Sequence, residues 1–296
     1  MTGIICLNKP EGITSFTAAA IARRIADEKK CGHTGTLDPM ATGVLPILLG
    51  GMTRFSDFLP SHDKAYRATL RLGITTDTLD ITGKDLTRRP VTTNAAQVKT
   101  ALRQFVGEIE QLPPMYSAIR VDGVRLYELA RRGEEIERQT RRVTVFSAEL
   151  TAADEEKAEY TIEVACSAGT YIRTLAADLG ELLGCGATLT ALTRTAANGF
   201  TLAQTATKEE LEAARDTGEL ARFLISPEKA LSAYPAVSVT PAQATRFANG
   251  GALDLARLPG LRGEGLFRVY DPQQTLLGLG ETANGELAVR RVLQMK

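Results

Sequence analysis

Gly32-His33-Thr34-Gly35-Thr36-Leu37-Asp38-Pro39-Met40-Ala41-Thr42-Gly43 is the stretch on which the reading of this chain turns. It holds one carboxylate, Asp38, and no other acid lies between Glu28 and Asp57. Pro39 fixes the backbone just after that acid. Gly32, Gly35 and Gly43 allow sharp turns and the close approach of another backbone, a nucleic-acid backbone included. One of the chain's two histidines, His33, lies in the same run. Alone, such a loop reads as a surface connection with an Asx turn at Asp38. Its company along the chain makes it a place for chemistry.

Upstream lies Asn8-Lys9-Pro10-Glu11-Gly12, and downstream Lys64-Ala65-Tyr66-Arg67-Ala68, then Leu72-Gly73-Ile74-Thr75-Thr76-Asp77-Thr78-Leu79-Asp80. Pro113-Pro114-Met115-Tyr116-Ser117-Ala118, Gly169-Thr170-Tyr171-Ile172-Arg173-Thr174-Leu175 and Leu192-Thr193-Arg194 follow. In this order the segments resemble those of TruB-type tRNA pseudouridine-55 synthases of the bacterial, stand-alone kind. The similarity runs from about residue 3 to about residue 225. Thr193 stands where that family often has a basic residue.

Composition fits a soluble globular protein, with 44% hydrophobic and 24% charged residues in 296. That length suits one large domain and one small one. Met1 leads straight into the strand-like Gly3–Asn8, so no signal peptide is expected and the compartment implied is the cytoplasm. No apolar run is long enough to span a bilayer. The four cysteines, at 6, 31, 166 and 185, lack the clustering of a zinc site. The balance of 35 basic and 35 acidic residues excludes a generic nucleic-acid coat. It leaves room for a local basic groove, because residues 116–142 carry seven arginines against five acids.

Hydrophobic periodicity predicts a helix from Ser15 to about Lys29, capped by Thr14 or Ser15, and a half-buried strand over Tyr66–Leu72. A helix capped by Asn94, a Ser117–Val121 strand closed by an Asp122-Gly123 turn, and a helix over Val124–Arg132 follow. Strands are expected at Arg142–Leu150, Tyr160–Cys166 and Thr188–Ala196, with helices over Thr170–Leu183 and about 208–224. Elements without a regular βαβ rhythm point to an α+β fold around a mixed or antiparallel sheet, with a small β-rich C-terminal domain. The domains expected are 1–230, catalytic, with an RNA-binding insertion at about 113–142, and 231–296, resembling a PUA-like RNA-binding module.

The resemblance implies isomerisation of a specific uridine in the tRNA T-loop, at tRNA position 55, on a flipped-out nucleotide. Such chemistry requires no nucleotide cofactor or metal, and the chain has no Walker-type motif. The GxGxxA fragment at Gly278–Ala283 is followed by too few residues for a dinucleotide fold. Asp38 is the implied catalytic group, as nucleophile or as general base. Arg173, by pattern alone a charge on an amphipathic helix, would keep Asp38 ionised. Tyr66, by pattern a core tyrosine, would stack on the base and assist late proton removal. His33 would fill the vacated stack, Leu192 would form the apolar wall, and Tyr171 would support the ion pair through a hydrogen bond. Asp80 would position active-site groups, and Lys9 with the 116–142 arginines would hold phosphates. The implied partner is the tRNA T-stem-loop, with no membrane and a monomer as the working unit. Guide-RNA-dependent relatives are the near alternative. A non-catalytic RNA-binding protein has no need of Asp38, Tyr66 and Arg173 together, and a glycoside hydrolase ordinarily needs two carboxylates.

Overall fold

The computed structural model describes residues 1–59, 61–121 and 123–293. Eight strands form the main path of a ten-stranded sheet. They are β1 (Gly3–Lys9), β2 (Thr42–Leu49), β3 (Lys64–Leu72), β4 (Gly107–Gln111), β5 (Arg141–Asp154), β6 (Glu159–Cys166), β7 (Ala187–Ala197) and β8 (Leu224–Ile225). Their spatial order is β8-β1-β2-β7-β3-β6-β5-β4. Every neighbouring pair is antiparallel except β2 and β7, which run parallel over Thr42–Thr193 and Gly43–Arg194.

Sequence pattern explains which strands are central. β1 and β2 are apolar on both faces and buried almost throughout, as strands covered on both sides must be. β3 and β6 alternate, with Tyr66, Ala68, Leu70, Tyr160, Ile162 and Val164 inward. On the open face, Arg67 and Arg71 lie opposite Glu163 and Glu159 and form cross-strand ion pairs with them.

Helices cover one face of this sheet. They are α1 (Ser15–Ile25), α2 (Ala95–Leu102), α4 (Ile172–Leu182) and α5 (Lys208–Asp216), while α3 (Leu126–Arg131) belongs to the 113–142 segment. Ala18, Ala22 and Ile25 of α1, Val98 and Leu102 of α2, and Leu175 and Leu179 of α4 share a core with Leu45, Leu70, Ile162 and Leu189. Thr14 caps α1 by accepting the Thr17 amide, and Asn94 with Gln97 forms a capping box on α2.

The other face, under β1 and β2, receives the C-terminal module. Its strands are β9 (Ala236–Ser238), β10 (Leu253–Asp254), β11 (Leu266–Tyr270), β12 (Leu276–Ala283) and β13 (Glu286–Val292), in the order β9-β11-β12-β13-β10. Tyr270, Leu276, Leu279 and Leu293 join one cluster with Ile4, Cys6, Val44 and Leu48.

The α+β architecture is as the sequence predicts, with differences at several elements. The strand expected over Ser117–Val121 begins only at Arg120, and the helix expected over Val124–Arg132 begins only at Leu126. α1 stops at Ile25, four residues before Lys29, and Asp27 turns into the left-handed region just beyond it. The helix expected over 208–224 breaks after Asp216 at Gly218, whose φ is +75°, and resumes as a short 3-10 turn at Leu220–Phe223. α6 (Pro241–Ala248) is a helix inside the region read as strands, opened by Pro241 and a Thr240/Gln243 capping box. Asp122 of the expected Asp122-Gly123 turn lies outside the described residues.

Candidate active site

The signature loop is fastened at three points before its acid is presented. Ser15, the first residue of α1, accepts the Leu37 amide at 2.7 Å and donates to the Leu37 carbonyl at 3.1 Å. The Gly12 amide donates to Pro39 at 2.8 Å, and the Ala41 amide donates to Asp38 at 3.0 Å, closing a tight turn over Asp38–Ala41. Lys9 donates through Nζ to the carbonyls of Pro10 (2.8 Å), Pro39 (3.2 Å) and Ala41 (2.6 Å).

Lys9 therefore corrects one expectation. It has no exposed surface and its three donors are engaged by backbone, so it braces the Asp38 loop from inside and does not reach a phosphate. Burial pulls its pKa down to about 8, against the opposing pull of Asp38.

Asp38 meets Arg173, from the first turn of α4, in a two-pronged pair: Nε to Oδ2 at 2.9 Å and Nη2 to Oδ1 at 3.0 Å. The guanidinium is almost wholly buried, and its remaining donors reach the carbonyls of Thr78 (2.9 Å) and Tyr116 (2.8 Å). Asp80 lies 3.8 Å away on the same guanidinium and is fixed by Thr78 Oγ1 at 2.8 Å and by the Thr82 amide at 3.0 Å. Burial pushes the Asp38 carboxyl above its ordinary range, and the Arg173 charge opposes the rise. With a third of the side chain open to solvent and both oxygens on a guanidinium, the carboxylate is the form this geometry stabilises. It is anchored on one side and approachable on the other.

The sheet register supplies the walls. Leu192 pairs with Ala68, and Arg194 with Tyr66, so Tyr66 and Leu192 stand on one face as diagonal neighbours. Both are only 6% exposed. Burial raises the Tyr66 phenol to about 12, with Arg194 opposing. His33 ends the short Cys31–His33 strand, half-buried, and burial together with Arg194 lowers its pKa, which favours the neutral ring. A neutral aromatic ring can stack on a base.

Tyr171 stands at the N-cap position of α4, and its hydrogen bonds run to Gln111. Gln111, at the end of β4, accepts its amide at 2.9 Å and donates to its carbonyl at 3.2 Å. The support runs through backbone, not through the phenol. Gln111, Ser15 and the Thr78 and Tyr116 carbonyls are structural partners that sequence reading missed. Thr78 and Tyr116 lie in quoted segments and Ser15 at a predicted helix start, but no pattern marks these contacts, because each acts on a residue distant in sequence.

Beside the site, the Pro113–Arg142 segment carries a basic ribbon. Arg120 and Arg125 face each other across a two-residue strand pair. Arg125 and Arg131 lie over the Tyr127 ring at 5.8 and 5.5 Å, and Arg125 donates to the Tyr127 hydroxyl at 3.0 Å. Its attachment to the site is direct, since Tyr116 accepts from Arg173. Among the described residues no group of three His, Cys, Asp or Glu side chains gathers to hold a metal ion, and no helix is long and apolar enough to cross a membrane.

Asp38 held by buried Arg173, with Tyr66 and Leu192 on one face of a mixed sheet, is the grouping that the resemblance to pseudouridine synthases implies. The comparisons agree. Residues 23–172 match the model of the TruB family pseudouridylate synthase N-terminal domain. Residues 173–232 match the tRNA pseudouridylate synthase B C-terminal domain, and 235–293 the pseudouridine synthase II TruB C-terminal model. The chain belongs to the TruB family of pseudouridylate synthases. It is 44% identical to tRNA pseudouridine synthase B of Pseudomonas fluorescens, over 99% of this chain and 96% of that one. Against tRNA pseudouridine synthase B of Burkholderia mallei the identity is 45%, over 99% and 97%. Among solved structures, a Cbf5-Nop10-Gar1 complex superimposes with a TM-score of 0.73 at 24% identity, covering 99% of this chain and 85% of that one. The archaeal box H/ACA sRNP Nop10-Cbf5 complex gives 0.71 at 25% identity, covering 99% and 86%.

Proposed function

We propose that this chain converts the uridine at position 55 in the T-loop of tRNA to pseudouridine, with Asp38 as the catalytic group. The observation that carries this reading is the Asp38 carboxylate, pinned by both oxygens on buried Arg173 and still open over a third of its surface. The relatives at 44–45% identity are tRNA pseudouridine synthases along their whole length, which supports tRNA as the substrate.

In the reaction the N1–C1′ bond of the uridine breaks, the base turns, and a C5–C1′ bond forms. The C5 proton leaves and N1 gains one. Asp38 acts at the sugar, by adding to carbon or by taking a ribose proton. Arg173 holds the carboxylate in register, and Asp80 fixes the guanidinium from its other edge. Tyr66 and Leu192 flank the base, and Tyr66 assists the departure of the C5 proton. Extruding a stacked base costs on the order of a few kcal/mol, and His33 offsets part of that by entering the gap. The arginine ribbon of 116–142 and the C-terminal module hold the RNA around the site. The enzyme acts as a monomer in the cytoplasm and requires neither metal nor nucleotide cofactor.

Tritium release from C5-labelled uridine in an unmodified tRNA transcript tests this directly. Wild type releases tritium, and Asp38→Asn lowers the rate about 10³-fold or more while still binding the RNA. Binding without release by wild type would overturn the reading.

A further inference from the structure

Arg194 is fully buried, yet among the described residues no carboxylate pairs with it. Its Nε donates to the Val44 carbonyl at 2.8 Å and Nη2 to the Gly35 carbonyl at 3.2 Å, while Nη1 is buried without a partner. Next to it lies a second cation. A Cβ placed on Gly35 would sit 3.2 Å from Lys64 Nζ and 3.6 Å from Arg194 Nη1, so both nitrogens crowd the same point of the signature loop. Gly35 has φ +99° and leaves that space free of a side chain. Lys64 is half-buried and pairs with no carboxylate among the described residues; burial and the Arg194 charge both lower its pKa. His33, with an unpartnered buried Nδ1, feels the same Arg194 charge.

Two adjacent cations held out of water without an anion repel each other and carry a desolvation cost. Such an arrangement is stable in function when a negative ligand completes it. Its location selects the ligand. Lys64 is two residues from Tyr66 on β3, and Gly35 three residues before Asp38, so an anion over Gly35 lies beside the nucleotide on which Asp38 acts.

We propose that Lys64 and Gly35, backed by the Arg194 charge, form the binding site for a backbone phosphodiester of the RNA beside the extruded uridine. This is the phosphate contact that the sequence assigns to Lys9, displaced to a lysine at the start of β3. It rests on the functional reading above for the identity of the polymer. Lys64 Nζ makes the contact, Gly35 admits the phosphate close to the loop, and Arg194 stays beneath as a fixed positive charge. Burial and Arg194 both lower the proton affinity of Lys64, and an arriving phosphate restores it.

The test is a coupling measurement on a T-stem-loop RNA in which single phosphates flanking the target uridine are replaced by neutral methylphosphonates. Lys64→Gln binds the native RNA about 10-fold or more weakly at low salt, as expected for one charge-assisted contact. The slope of log K against log salt falls by about 0.7–0.9, as expected for one phosphate. Lys64→Arg retains the wild-type slope. One methylphosphonate weakens wild type and leaves Lys64→Gln unaffected. An unchanged salt slope, with every methylphosphonate weakening both proteins equally, would overturn the site. Wild type that binds the RNA and shows this coupling without releasing tritium would overturn the functional reading and leave the phosphate site standing. Wild type that does not bind this RNA overturns both.

Discussion

Arg173 and Arg194 are both buried arginines at the same sheet, and they are opposites. Arg173 has Asp38 on two of its nitrogens, Asp80 nearby and two carbonyls to finish its donors. Arg194 has two carbonyls, a tyrosine neighbour and an unused nitrogen. The first is a closed circuit whose task is to hold one carboxylate still. The second leaves a positive surplus beneath the loop that carries that carboxylate. Burial alone therefore says little about a charge's role, and its partners say much.

The sharpest way to break this contrast is to remove each guanidinium. Arg173→Met strands two carboxylates and is expected to cost about 3–5 kcal/mol in urea unfolding, with tritium release falling alongside. Arg194→Met removes a charge that nothing neutralises, so its loss in the same unfolding series is expected to be less than half as large. Equal losses would mean that the surplus charge is not felt by the fold.

Next in size is Gly43→Ala, at the parallel crossing of β2 and β7. Gly43 has φ +101°, and a Cβ there would meet the Arg194 carbonyl at 2.3 Å. A loss of about 1–3 kcal/mol or more is expected by thermal unfolding. A Tm equal to wild type would show that the two strands can part without consequence for Arg194.

Lys9 sharpens the comparison as an intermediate case, a buried cation satisfied by carbonyls alone. Its folded pKa is about 8, below its ordinary 10.5, so the unfolded chain binds more protons between those values. Stability contributed through Lys9 should rise as pH climbs from about 8 toward 10.5. Subtracting the Lys9→Met urea series from the wild-type series isolates it, and a flat difference across that window would contradict the assignment. The smallest effect belongs to the open face, where Arg67–Glu163 is about half exposed. Glu163→Gln should change stability by less than about 1 kcal/mol and respond to salt.

Much of this was legible in the chain because it is local or periodic. The alternation of Tyr66, Ala68, Leu70 and Leu72 announces its strand, and Asn94 announces its helix. The resemblance points Asp38, Arg173, Tyr66 and Leu192 at one site, and of these the structure joins Asp38 to Arg173 and sets Tyr66 diagonal to Leu192. What was not legible depends on distant backbone. Lys9 looks like a phosphate ligand until the Pro39 and Ala41 carbonyls arrive from 30 and 32 residues away. Tyr171 reads as a support near the ion pair, but that its backbone is held by Gln111 cannot be read 60 residues away. Lys64 and Arg194 belong to quoted segments but carry no assigned role until the sheet sets them beside Gly35. The helix Pro241–Ala248 was the exception, since Thr240-Pro241 with Gln243 is a start signal written in the sequence.

The apolar cluster that joins Ile4, Cys6, Val44 and Leu48 to Tyr270, Leu276, Leu279 and Leu293 has a practical consequence for anyone dissecting this protein. A chain cut after Ala230 would not yield a tidy catalytic fragment. It would uncover the oily underside of the first two strands in the sheet, and such a fragment is expected to clump in the expression host. The two halves should melt as one transition, and a fusion partner or crosslinker placed between them would strain both.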